Sequence, residues 1–241
     1  MTYGILFAAG KGSRLAPITD TLPKPLVPIH GKTLLERNMD SISDLVDEYI
    51  VVISYLGQMI IDHIGETYQG KPVQYVWQEN PKGGTFDALR NGASAMQDGD
   101  HHYLVMNSDD IHGPELFELL HDHINTTPES PAIGTHVYSD KSRLSQFGII
   151  KTKSDGTFEA IVEKPQEYVS DMVNIGVYYF PASTRSLIYP RPEGQESEEY
   201  ITDFVNLVNE HMPISVLAST GQWLPVSYPE DIEKVEGLLA E

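Results

Sequence analysis

The sequence predicts an α/β protein: a mostly parallel, Rossmann-like sheet with helices on both faces, followed by a smaller antiparallel part. Three observations predict it. Short apolar runs alternate with helical stretches over about the first 140 residues, the pattern of right-handed βαβ units. A glycine-bearing turn directly follows the first apolar run, at the strand end where open α/β sheets bind ligands. From Phe147 onward, strand-like runs succeed one another with short connections, which suits antiparallel pairing.

The elements follow in chain order. Gly4 to Ala8 is a continuous apolar run fit for a buried first strand. Thr33 with Glu36 three residues on forms a capping box that starts a helix. Tyr49 to Ser54 predicts a second strand, Leu56 to Ile64 a helix ending near Gly65, and Val73 to Trp77 a third strand. Phe86 to Met96 predicts a helix and His102 to Met106 a fourth strand. Pro114, acceptable in a first turn, opens a helix running to His123, and Ala132 to Tyr138 reads as a fifth strand. In the second half, Phe147 to Ile150, Thr157 to Val162 and Met172 to Phe180 read as strands. Helices are predicted at Ala182 to Ile188 and Glu199 to His211, then a strand at Ile214 to Ala218 and a last helix from Pro229. No repeat, low-complexity segment or linker divides the 241 residues, so one domain is expected.

Composition narrows the function. The formal charge of −19 argues against nucleic acid or an anionic membrane as partner. There is no apolar run of membrane-spanning length and no charged leader with an apolar core. The absence of cysteine removes disulfide and thiolate chemistry, and a cytoplasmic location is expected. The charge is uneven: residues 1–40 hold five Lys or Arg against three acids, and the remainder holds 11 against 32. A locally basic segment in a very acidic chain suits an anionic ligand.

That segment contains the densest motif. Gly10 and Gly12 flank Lys11, and Ser13 and Arg14 follow. Glycines let backbone N–H groups approach an anion, Arg14 adds a forked cation, and Lys24 is held between Pro23 and Pro25. This reads as a polyphosphate site. It is not a dinucleotide fingerprint, because Leu15 stands where the third glycine belongs, and the P-loop spacing is absent. The stretch resembles the signature of the sugar-nucleotide pyrophosphorylases, Gly-x-Gly-Ser/Thr-Arg-Leu-x-Pro-Leu-Thr followed by Pro-Lys-Pro-Leu-x-Pro. Gly10, Gly12, Ser13, Arg14, Leu15, Pro17, Thr19, Pro23, Lys24, Pro25, Leu26 and Pro28 match it, with Ile18 for the Leu.

The resemblance implies a nucleotidyltransferase of GT-A-like fold that joins a nucleoside triphosphate to a sugar 1-phosphate. About 1–140 would hold the nucleotide and about 141–241 the sugar phosphate. By the same resemblance, Ala8 and Ala9 before Gly10 favour a pyrimidine nucleotide, UTP or dTTP. Gln78, followed by Gly83, Gly84 and Thr85, resembles the base-reading glutamine and its glycine turn, and an amide suits the imide edge of uracil or thymine. Asp109, in Asn107-Ser108-Asp109-Asp110, matches the residue that holds Mg²⁺, with Ser108 in place of a glycine and Asp110 as its neighbour. Gly148, Glu163, Lys164 and Asn174 resemble the sugar-phosphate pocket. Arg14 would stabilise the leaving pyrophosphate, and Lys24 would bridge the α-phosphate and the incoming phosphate.

One position departs from the pattern. The family commonly has Trp-x-Asp before the last helix, and that Asp shares the metal; here Trp223 is followed by Leu224 and Pro225. Either Asp109 holds Mg²⁺ with phosphates and waters, or another acid substitutes, or activity is reduced. Glu230 and Asp231 are stand-ins by position, but they read first as the acids that begin the last helix, where carboxylates favour the N-terminal dipole. The nine histidines show no shared-face spacing that would ligate a metal. Two other readings stay open: a cytidylyltransferase for phosphocholine or a similar acceptor, and a non-catalytic nucleotide or sugar-phosphate sensor. The left-handed β-helix that bifunctional relatives use for acetyl transfer is not expected.

Overall fold

The computed structural model describes residues 1–80, 82–191 and 197–239. Its strands and helices, in chain order, are β1 (Thr2–Ala8), β2 (Pro28–Ile29), β3 (Lys32–Thr33), α1 (Leu34–Ser41), β4 (Glu48–Ile53), α2 (Gly57–Ile64), β5 (Thr67–Tyr68), β6 (Lys71–Trp77) and α3 (Gly84–Ala95). They continue with β7 (His102–Asn107), β8 (Asp110–His112), α4 (Pro114–Thr126), β9 (Ala132–Val137), β10 (Gly148–Thr152), β11 (Phe158–Glu163), β12 (Met172–Phe180), α5 (Ile201–His211), β13 (Ser215–Ser219), β14 (Trp223–Pro225) and α6 (Pro229–Leu239).

β1 is the pivot. It pairs in parallel with β4 on one side and β7 on the other, and β6 extends the parallel run beyond β4. The chain therefore reverses direction across β1, and a crevice opens at its carboxyl end, where Ala8 leads into the glycine turn. β12 joins antiparallel to β7 through Val177–Phe180 and meets β10 through Val173, so one strand spans the seam between the two parts. β9 runs antiparallel along β12, β13 runs parallel to β9, and β11 closes the edge beyond β10.

Alternation along β1 accounts for the two layers of helices. Leu6 and Ala8 face one core with residues of α1, α2 and α4, including Leu35, Met39, Ile60 and Leu116. Tyr3, Ile5 and Phe7 face the other, with Phe86 and Leu89 of α3 and Phe204 and Val208 of α5. A third cluster of Leu15, Val27, Ile29, Leu34, Ile111, Val226 and Val235 seats the glycine turn and α6. The expected capping box is present: Glu36 N–H donates to Thr33 Oγ1 at 3.2 Å, and Thr33 N–H donates to Glu36 Oε2 at 2.8 Å.

Three expectations change. The helix expected over Ala182 to Ile188 is a 3₁₀ segment, Ala182–Leu187, where Thr184 Oγ1 donates to the Pro181 carbonyl instead of leaving the backbone to wind. α5 starts at Ile201 and not Glu199, because the Glu199 backbone is paired with the start of α3 (Glu199 N–H to Gly83 O, Phe86 N–H to Glu199 O). Beyond Asp109 the chain also forms a short ribbon, β8 against β14, which puts Trp223 opposite His112 and Pro225 opposite Asp110.

Candidate active site

The glycine turn gains its shape from one residue in particular. Gly12 has φ +65°, and a Cβ placed on it would lie 2.8 Å from Lys24 Cβ, so its bareness lets Lys24 pass beneath the turn. Thr19 Oγ1 donates to the Gly12 carbonyl at 2.8 Å and ties the turn down. Lys24 begins a 3₁₀ turn enclosed by Pro23 and Pro25, and its largely buried Nζ reaches Asp109 Oδ2 at 2.9 Å. Arg14 is exposed and makes no hydrogen bond or ion pair among the described residues, leaving its guanidinium available to a ligand.

Two cavities, of ≈ 320 and ≈ 250 Å³, adjoin at the carboxyl ends of β1 and β7. The first is lined by Ala8, Gly10, Gly12, Ser13, Arg14 and Lys24. The second is lined by Gly148, Glu163, Lys164 and Asn174, with Phe147, Tyr178, Tyr200, Thr202 and Trp223. Arg14, Thr85, Asn107, Asp109 and Ser227 line both. The structure therefore sets a pocket walled by Arg14 and Lys24 and a polar and aromatic pocket side by side, with Asp109 at the junction.

The second pocket is held by contacts among its own walls. Glu163 Oε2 accepts from Thr202 Oγ1 at 3.4 Å, and Glu163 lies 3.6 Å from Lys164 Nζ; burial still holds its carboxyl above the usual range. Lys164 has φ +45°, a strained backbone that places its ammonium over the Tyr200 ring at 4.5 Å. Asn174 Nδ2 donates to Tyr178 Oη at 2.6 Å, and its Oδ1 accepts from Gly176 N–H at 3.1 Å, so Asn174 shapes the bulge in β12. A Cβ on Gly148 would stand 3.0 Å from Glu163 Oε2, so this glycine makes room for that carboxylate.

The remaining expected residues sit behind the groove. Ala9 packs against the core on the α3 side. Gln78 is buried, and its Nε2 donates to Gly84 O at 3.1 Å and to Asp87 Oδ2 at 3.3 Å. Gly83 and Gly84 meet the segment before α5, where a Cβ on Gly84 would lie 2.2 Å from the Glu199 carbonyl. Thr85 alone of this group lines the cavities, and its Oγ1 accepts from Ile201 N–H at 2.8 Å. Behind them Arg90 is bidentate to Glu199, at 2.8 and 3.1 Å.

The donor set suits a hard cation. Asp109 is the carboxylate at the junction, and Asn107 Oδ1, which lines the same cavities, is buried without a hydrogen-bond partner among the described residues. Among the described residues no group of three or more His, Cys, Asp or Glu is arranged to hold a metal. Mg²⁺ commonly uses one or two carboxylates plus waters and substrate phosphates, so Asp109 with Asn107 fits it. Asp231 lies in the first turn of α6, as the sequence reading expects, and its Oδ2 accepts from Ser227 N–H and Tyr228 N–H, both at 2.8 Å. Beside Asp109, burial and the adjacent carboxylate push Asp110 up to about 7, against the pull of Lys24 and the Trp223 and Val226 donors.

Arg14, Lys24, Asp109, Gly148, Glu163, Lys164 and Asn174, expected from the sequence, all line the groove. Tyr178, Tyr200, Thr202 and Ser227 line it as well with no such expectation, and Asn107 is marked in the sequence only as part of a strand end. The apolar run before Asn107 marks a strand carboxyl end, the one signal that singles that residue out.

Two adjoining cavities lie at the switch point of an open α/β sheet, the place where such folds bind their ligands. The chain belongs to the nucleotidyl transferase family, whose description matches residues 3–240, and within it to the sugar-nucleotide pyrophosphorylases, enzymes of the sugar-1-phosphate nucleotidyltransferase class. The UTP–glucose-1-phosphate uridylyltransferase AglF of Haloferax volcanii is 28% identical over 240 residues, 98% of this chain and 96% of that protein. The bifunctional protein GlmU of Methanocaldococcus jannaschii is 26% identical over 228 residues, covering 95% of this chain, which spans 52% of that relative's length. A solved UDP-glucose pyrophosphorylase with bound UDP-glucose superposes with a TM-score of 0.86 at 18% identity, over 100% of this chain and 98% of that one, and shares the fold. No helix of the described residues is long and apolar enough to cross a membrane.

Proposed function

We propose that the protein joins UTP or dTTP to a sugar 1-phosphate, giving a nucleotide sugar and pyrophosphate. The observation that carries this reading is the junction: Arg14, Thr85, Asn107, Asp109 and Ser227 line both cavities, and Lys24 stands 2.9 Å from Asp109. A reaction between two phosphates needs both held at one place. The uridylyltransferase name of the Haloferax relative and the alanine pair before Gly10 support a pyrimidine nucleotide.

A phosphate oxygen of the acceptor forms a bond to the α-phosphorus, the bond to the pyrophosphate oxygen breaks, and the electron pair leaves with pyrophosphate. The acceptor phosphate is already a nucleophile, so positioning and charge neutralisation dominate. Arg14 and the N–H groups of the Gly10–Ser13 turn hold the leaving group. Lys24 draws the α-phosphate and the incoming phosphate together, and Lys164 and Glu163 seat the acceptor. Asp109 and Asn107 would hold Mg²⁺, which supplies positive charge against the phosphates when bound.

The test is pyrophosphate release by the purified protein, with each common nucleoside triphosphate against a mixture of sugar 1-phosphates, with and without Mg²⁺. Release with UTP or dTTP that needs both sugar phosphate and Mg²⁺ is expected. Lys24→Met and Arg14→Ala are expected to lower kcat by roughly a hundredfold or more while keeping the far-UV spectrum, in line with losing one preorganised cation. Release with phosphocholine alone would move the protein to the cytidylyltransferase reading, and nucleotide binding without any release to the sensor reading.

A further inference from the structure

Asp110 lines the second cavity but has no part in the chemistry above, and each of its carboxylate oxygens accepts a hydrogen bond from the Trp223–Val226 segment. It opens β8 directly opposite Pro225 of β14. Proline has no N–H, so the ladder lacks a donor at that point of the ribbon. The Asp110 side chain takes up the donors on either side of it. Its Oδ2 accepts from the Trp223 indole Nε1–H at 3.1 Å, and its Oδ1 accepts from Val226 N–H at 3.3 Å. One carboxylate thus grips the segment from Trp223 to Val226 at both ends.

What that segment carries is a wall of the acceptor cavity. Trp223 is 7% exposed and meets Phe147 and Tyr138 edge-on, with ring centroids 5.2 and 5.5 Å apart. Phe147 and Trp223 line the second cavity, and Ser227, just past Val226, lines both. An indole held by one hydrogen bond at its only polar atom keeps one ring orientation. Without that bond its N–H must be satisfied elsewhere or left unpaired.

We propose that Asp110 is a positioning residue that acts through Trp223, fixing the indole and the Trp223–Ser227 segment so that the acceptor pocket fits its sugar phosphate. The proposal rests on the acceptor occupying the second cavity. It assigns Asp110 to the acceptor wall, and Asp109 alone of the adjacent pair to the cation.

Trp77 and Trp223 are the two tryptophans of the chain, and Trp77 is 51% exposed, so Trp77→Phe leaves Trp223 as a single reporter inside the site. In that background, Asp110→Asn replaces one acceptor oxygen with an NH₂ that faces an N–H. A red-shifted Trp223 emission and at least twofold greater acrylamide quenching are expected, with the far-UV spectrum unchanged. In turnover assays, Asp110→Asn is expected to raise KM for the sugar phosphate about tenfold, with KM for the triphosphate and half-saturating Mg²⁺ within twofold. Trp223→Phe, which keeps an aromatic ring and removes the N–H, should raise the same KM, and the double variant should be no worse than the worse single. Unchanged emission and quenching in Asp110→Asn would overturn the proposal, as would a Mg²⁺ requirement raised tenfold, which would make Asp110 a cation ligand. If no substrate pair supports turnover, the functional reading fails, and the emission measurement still decides whether Asp110 holds Trp223.

Discussion

Gly12 shows how much chemistry one missing side chain supports. A Gly12→Ala side chain meets Lys24 Cβ at 2.8 Å on a backbone of φ +65°, so either the turn or Lys24 must shift. Left-handed geometry with a Cβ costs on the order of 1–2 kcal/mol, which the fold tolerates, but displacing Lys24 removes the cation at the junction. Gly12→Ala should therefore lose at least tenfold in kcat with a small fall in Tm, read by pyrophosphate release and thermal denaturation. A variant with full kcat would separate the glycine from Lys24. The residues of this turn were legible because they are contiguous, and their spacing is the mechanism. Tyr200 and Thr202 were not, because the N-terminus of α5 joins the second cavity only through tertiary packing, which leaves no local pattern. Gln78 was legible as an amide at a strand end, but not that its Nε2 is tied to Gly84 and Asp87.

The parallel strands and most helices were readable from apolar runs and caps, since each carries its own periodicity. The β8·β14 ribbon was not, because two three-residue strands hold no period and are joined only by tertiary pairing. Its importance shows at His112, a residue 8% exposed with neither ring nitrogen hydrogen-bonded among the described residues, and one whose pKa burial lowers to about 4 against the opposing pull of Asp109. Between about pH 6.5 and 4 the unfolded chain binds a proton at this histidine and the folded chain does not, so stability falls as pH falls through that window. The loss should approach about 3 kcal/mol at its lower end. Urea denaturation at pH 7, 5.5 and 4.5 measures it. His112→Phe keeps the ring against Phe117 and should flatten the slope; an equally steep slope in that variant would place the acid sensitivity in another group.

At the scale of the whole molecule, charge divides the protein into a surface and a site. A net −19 repels itself across the fold and would repel a triphosphate in the proposed reaction, and the basic residues of the first 40 positions oppose that repulsion locally. Salt acts on these two features in opposite directions. Raising ionic strength from about 0.01 M to about 1 M shortens the screening length from about 30 Å to about 3 Å. Repulsion between exposed carboxylates is spread over longer distances and is screened first, so Tm should rise steadily with KCl. Attraction of a triphosphate to exposed Arg14 is also screened, so KM for the nucleotide should rise over the same range. The Lys24–Asp109 pair is partly shielded, with Lys24 9% exposed, so kcat should change less than KM. Thermal denaturation and initial rates across one KCl series measure all three quantities. A flat Tm would mean that the acidic surface does not strain the fold. A nucleotide KM indifferent to salt would mean that Arg14 is not the group that receives the phosphates.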